Sequence, residues 1–111
     1  MSILQEYITL CGIKLYTGKD IDNITNIFNA LSSPTRLKIL LTIIETKRPL
    51  HIKAVAKALD IDYAAIHRHV KILKKANLLE VYDVGRSRVL SPTHIDLIKQ
   101  FLQLAQKCFI S

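Results

Sequence analysis

The chain has 111 residues, half of them hydrophobic, and a net charge of +7 at neutral pH. That is enough apolar sequence for one modest core and too much for a disordered basic tail. The longest apolar run, residues 39–44 with Thr42 inside it, is too short to span a bilayer, and the opening MSILQEYITL has neither the basic start nor the small-residue cleavage site of a signal peptide. A cytoplasmic protein with no membrane partner is expected.

The charge is concentrated. Residues 1–46 balance four bases (Lys14, Lys19, Arg36, Lys38) against four acids (Glu6, Asp20, Asp22, Glu45), whereas residues 47–90 carry ten bases against four acids. A concentrated basic surface suits a polyanion, since each neutralised phosphate releases counterions; it equally suits a solvated face that aids solubility.

Taken in order, Ile3, Leu4, Tyr7, Ile8 and Cys11 form one apolar helical face over residues 2–11. An extended arm follows through Ile13 and Leu15, and Thr17-Gly18-Lys19-Asp20 reads as a turn. Asp20 or Asp22 can cap a helix to about Leu31 whose buried stripe is Ile24, Ile27, Phe28 and Leu31. Ser33 and Pro34 suit the N-cap and first position of the next helix, which is apolar on most sides to about Thr46 and so belongs at the centre of a core. Leu50-His51-Ile52 predicts a short strand, and a helix to Leu59 buries Val55, Ala56 and Leu59.

After an Asp60-Ile61-Asp62 turn, a second helix runs from about Tyr63 to Ala76. At 100° per residue Ile66, Val70 and Leu73 face inward, Ala64, Arg68, Lys71 and Lys75 face outward, His67 and Ala65 lie on opposite flanks, and His69 falls nearer the buried side. This pair of helices is the pattern of a helix-turn-helix, whose second helix enters the major groove of DNA. Asn77 can provide a left-handed stop. Two strands, about 78–84 and 88–90, then flank a Gly85-Arg86-Ser87 turn, and Ser91-Pro92-Thr93 caps a last helix to about Phe109. That helix carries more apolar surface than one small domain can cover.

The segments IFNALSSPTRLKIL (Ile27–Leu40), AVAKALDIDYAAIHRHVKILKKANLL (Ala54–Leu79) and VGRSRVLSP (Val84–Pro92) together resemble the ArsR family of small dimeric bacterial and archaeal repressors. The resemblance covers roughly residues 21–106. It implies a mainly α fold with a small β-hairpin, a winged helix-turn-helix that dimerises through its first and last helices. The chain as a whole is expected to divide into an N-terminal arm and dimerisation segment over 1–19 and the winged domain with its C-terminal dimerisation helix over 20–111. The family's metal-sensing motifs are missing: His51–Ala56 holds no Cys-x-Cys pair, and His94 and Asp96 are followed by Gln100, Gln103 and Gln106 where ligands would stand. No metal and no cofactor are therefore expected.

The expected contacts to DNA are Arg68 and Lys71, with Tyr63, Ala64, Ala65 and His67 in the half of the helix that meets base edges, Arg86 and Arg88 on the wing, and Lys53 and Lys57 on backbone phosphates. Asp62 can cap the helix or accept from cytosine. Cys11 and Cys108 stand near the expected dimer interface, either as buried thiols or as a redox-active pair. The reading is a homodimeric, sequence-specific regulator of transcription, a repressor by resemblance, with double-stranded DNA as partner. A winged-helix module for protein contacts and a non-specific chromatin-type binder are the alternatives. No nucleophile–base pair, carboxylate pair or phosphate-cradling glycine loop is present to suggest an enzyme or a small-molecule substrate.

Overall fold

The computed structural model describes residues 16–110; the expected helix over 2–11, the arm to Leu15 and Cys11 lie outside them. Helix α1 spans Gly18–Leu31. Its N-cap is Thr17, not Asp20 or Asp22, and the expected turn at 17–20 is the helix start itself. Thr17 Oγ1 accepts from the Asp20 N–H at 3.0 Å, and the Asp20 carboxylate accepts from the Thr17 N–H at 2.9 Å. This reciprocal capping box satisfies two donors at once, which a single aspartate cap does not.

Helix α2, Pro34–Thr46, begins as expected, with Ser33 Oγ accepting from the Arg36 N–H and proline in the first turn. It buries Ile39, Leu40, Ile43 and Ile44 and forms the centre of the core. Lys47, in the left-handed region at φ 57°, ends it. Strand β1 is only Leu50–His51, because Ile52 already opens helix α3, Ile52–Leu59. Leu59 is half-buried; Ile52, Val55 and Ala56 carry the inward face of α3.

Helix α4 spans Tyr63–Lys75, with Ile66, Val70 and Leu73 buried against α2 and α3 as their spacing predicts. Asn77 stands at φ 62° in the left-handed stop, and the Leu78 N–H bonds back to the Leu73 carbonyl at 3.0 Å. Strands β2 (Leu79–Val84) and β3 (Ser87–Pro92) form a hairpin with a two-residue loop, Gly85-Arg86. Gly85 sits at φ 61° in the first loop position, the backbone that the primed hairpin turns require.

The return strand is longer than expected. Ser91 and Pro92 pair with Glu80 and Leu79, so they belong to β3 and do not cap the last helix. Pro92 is tolerated there because it is the end residue of its strand. β1 joins the other edge of β3 through Leu50↔Leu90 and His51↔Val89, giving an antiparallel sheet of order β1-β3-β2. Helix α5, Ile95–Lys107, starts from His94 at φ 50° with no side-chain cap. It buries Ile98 alone, with Leu102 packed at the core margin.

Candidate nucleic-acid interface

Three devices orient α4. Its inward stripe fixes the rotation of the helix about its own axis. Asp62 fixes its start: one carboxylate oxygen accepts from the Ala64 and Ala65 N–H groups at 3.1 and 3.3 Å. That settles Asp62 as the N-cap, with its acceptor turned to the helix backbone.

The third device is Arg36. Helix α1 ends at Ser32, and a Schellman-type ending would take N–H bonds from the two residues after that cap. The second of them is Pro34, which has no N–H. Arg36 supplies the missing donors from the first turn of α2. Its Nε donates to the Ala30 carbonyl at 2.7 Å and its Nη2 to the Asn29 carbonyl at 3.1 Å. The remaining Nη1 lies 3.4 Å from Nδ1 of His69 on α4. A guanidinium only donates, so this contact engages the lone pair of a neutral imidazole. Burial first, then the charges of Arg36 and Arg68, hold His69 below the usual histidine pKa. One arginine thus ties α1, α2 and α4 together. Sequence periodicity placed His69 near the core but left Arg36 without a role; the Pro34 two residues past a helix cap was the available signal.

With α4 so held, Ala64, Arg68 and Lys71 are exposed on its outer face, and Ala65 and His67 are half-buried on its flanks. The Tyr63 and His67 rings meet edge to face with centroids 4.5 Å apart, so both lean over the first turn of the helix. Between that turn, the start of α3 and the wing lies an open cleft of about 450 Å³ lined by His51, Lys53, Tyr63, Arg86, Ser87 and Arg88. It brings together four of the residues singled out in the sequence, from three separate elements, and adds His51 and Ser87, which β1 and β3 carry into it. Its charged lining is entirely basic.

A smaller cleft, which shares Arg88 with the first, contains His67, Lys71 and Lys74. Arg88 faces Asp83 across the hairpin at 3.6 Å with both side chains largely exposed, an ion pair of little energetic weight that leaves the arginine available. Lys57 is exposed on α3 and lines neither cleft. Cys108, just past the end of α5, is exposed and not buried, its thiol 3.5 Å from the Leu104 carbonyl.

A second surface is apolar. Leu97, Phe101 and Leu104 project from α5 with Leu104 61% exposed, Phe109 and Ile110 follow, and α1 exposes Ile21. Ile24 and Phe28, expected in the buried stripe of α1, are exposed as well, the latter at 63%, and of that stripe only Ile27 and Leu31 pack against the core. Among the described residues, no three His, Cys, Asp or Glu side chains converge as metal ligands, and no helix is long and apolar enough to cross a membrane.

A three-helix core whose last helix presents a basic face, followed by a β-hairpin packed beside it, defines a winged helix-turn-helix. A family model described as a helix-turn-helix domain matches residues 31–82, the span from the end of α1 into β2, the first strand of the wing. Solved structures agree. The homodimeric winged helix-turn-helix DNA-binding domain of a possible ArsR-family regulator from Mycobacterium bovis is 19% identical, covering 79% of this chain and 80% of that one at a TM-score of 0.69. An ArsR-like transcriptional regulator from a Rhodococcus species is 26% identical, covering 78% and 79%, at a TM-score of 0.62. The transcriptional repressor BigR of Xylella fastidiosa is 16% identical, covering 84% and 92%, at a TM-score of 0.66. No curated protein matches the chain. The protein is a helix-turn-helix protein with the winged-helix fold of the ArsR-family transcriptional regulators.

Proposed function

We propose that the protein is a sequence-specific, double-stranded-DNA-binding transcriptional repressor that acts as a homodimer. The observation that carries this reading is the cleft between wing and helix-turn-helix, whose charged lining is wholly basic, together with the exposed Arg68 and Lys71 on the outer face of α4. At 13 residues α4 is about 20 Å long, a fit for the major groove. Arg68, His67 and Tyr63 are its groups able to discriminate bases, with Ala64 and Ala65 limited to thymine methyls. Lys53, Lys57 and Lys71 neutralise phosphates, and residues 84–90, with Arg86 and Arg88, follow the backbone or minor groove.

So few base-reading groups per protomer make two-fold symmetry important: two helices at a fixed separation read spacing as well as bases. The exposed faces of α5 and α1 are the surfaces for that pairing, in keeping with the homodimeric Mycobacterium bovis relative. Repression follows the Xylella fastidiosa relative. The role so proposed is neither catalytic nor membrane-bound, and residence in the cytoplasm accompanies it.

Selection of bound duplexes from a random pool tests the proposal. The expected result is enrichment of one palindromic motif, with affinity falling steeply with salt, at roughly 0.9 log units per tenfold salt for each phosphate neutralised. Arg68→Ala should relax the preference for that motif, while Arg86→Ala should weaken all duplexes alike and flatten the salt slope. Equal binding of every duplex would support the non-specific alternative. Absence of binding at low salt would leave the protein-contact alternative.

A further inference from the structure

On the side of the sheet away from the wing tip, a cleft of about 340 Å³ opens where the end of α2, the turn into β1, the end of β3 and the start of α5 meet. Its floor is apolar: Ile44, Pro49, Pro92 and Ile95. Its rim carries Lys47 and Arg48 from the α2–β1 turn, Lys99 from α5, and the Ser91 hydroxyl. Among the described residues no acid lines it, and none of its three cations has a carboxylate within salt-bridge distance. Lys47 takes the left-handed backbone that ends α2 and lines the cleft from there. The cleft is separate from the basic one beside Tyr63, sharing no residue with it.

We infer that this cleft binds a small amphipathic carboxylate, an organic acid with an apolar body of medium length. The volume suits a ligand of that size, and ligand sites are commonly apolar hollows with a few oriented polar groups. The floor takes the hydrocarbon body. Three cations lining one cleft, from the α2–β1 turn and from α5, favour a single negative charge at one end, and the Ser91 hydroxyl can donate to the same carboxylate. A neutral apolar ligand would leave the cations unused, and inorganic phosphate would leave the floor uncovered. Because the walls belong to α2, to the strand that carries the wing and to the terminal helix, an acid bound here braces the wing base against α5. The site lies apart from the proposed DNA surface and does not depend on it.

The test is a titration of the full chain with octanoate at constant ionic strength, followed by amide chemical shifts, with acetate and octanol as matched probes. Saturable shifts are expected at residues 44–48 and 91–99. Acetate, lacking the body, and octanol, lacking the charge, should each bind about tenfold more weakly or worse. Arg48→Gln and Lys99→Gln lie on the exposed rim and should fold normally, and each should weaken octanoate about threefold. Ser91→Ala provides a variant with no change of charge and should weaken it in the same direction. Shifts that spread over the exposed α5 face, equal binding of octanol, or indifference of octanoate to Arg48→Gln and Lys99→Gln would each overturn the assignment.

Discussion

Replacing Arg36 by methionine isolates what its guanidinium does, because methionine keeps the apolar stem and removes only the donors. Two carbonyls lose a partner. That of Asn29 retains the Ser32 N–H at 3.2 Å and the Ser32 hydroxyl at 2.6 Å, so its loss is small. That of Ala30 belongs to a residue with no exposed surface and keeps no substitute, since the chain next offers Pro34. Leaving a buried acceptor unpaired costs about 1–3 kcal/mol. We expect a loss of about 2 kcal/mol, which for a domain of this size lowers the melting temperature by roughly 8–10 °C. Far-UV circular dichroism in urea, at one fixed protein concentration and at a pH where His69 is neutral, measures it. Arg36→Lys should recover only part of the loss, since one ammonium cannot reach both carbonyls and His69 in the same geometry. If Arg36→Met lies within about 0.5 kcal/mol of the parent, Ala30 has found water or another donor, and the account of the α1–α2 junction is wrong.

Three other outcomes follow from the same geometry. Burial, then the charges of Arg36 and Arg68, hold the His69 pKa below its ordinary value, so the unfolded chain takes up this proton more readily than the folded one. Stability should therefore be constant at alkaline pH and decline as pH falls through and below the ordinary histidine range, and His69→Gln should flatten that decline in melts recorded across the range. Gly85→Ala meets no atom within 4 Å, so its cost is backbone strain alone, about 1 kcal/mol in denaturant unfolding, with Gly85→Asn costing less. Phe101→Glu places a charge in the middle of the exposed α5 face; sedimentation should report a shift from dimer to monomer, and an unchanged profile would assign the pairing to another surface.

Much of the scaffold was legible because it follows from local rules. The inward spacing of Ile66, Val70 and Leu73, the Ser33-Pro34 helix start, the Asp62 cap and the left-handed Asn77 each depend on neighbours within a turn or two. The misplaced boundaries had competing local explanations. Thr17-Gly18-Lys19-Asp20 satisfies both a turn and a capping box, and only the reciprocal bonds decide between them. Ser91-Pro92-Thr93 has the composition of a helix start, yet pairing with Glu80 and Leu79 outweighs it, and the start passes to His94. For the candidate interface, the outward residues of α4 could be read from periodicity. The cleft that gathers Lys53, Tyr63, Arg86 and Arg88 could not, because it exists only where β1 holds the wing beside α3. Arg36 was illegible for a similar reason: its partners lie six, seven and thirty-three residues away.

The wing is fastened at its base more firmly than its length requires. The Thr93 hydroxyl donates to the Asn77 carbonyl at 2.7 Å, the Thr93 N–H bonds to the Leu78 carbonyl at 3.3 Å, and the side chains of Asn77 and His94 stand 3.4 Å apart. The points where the hairpin leaves and rejoins the body are thus held together without help from its tip. Residues inserted between Gly85 and Arg86 would lengthen a loop whose ends are already closed, at an entropic cost that grows only with the logarithm of length. The tip is where this chain can vary its reach, gaining or losing residues while the register from Leu79 to Pro92 and the setting of α4 stay as they are.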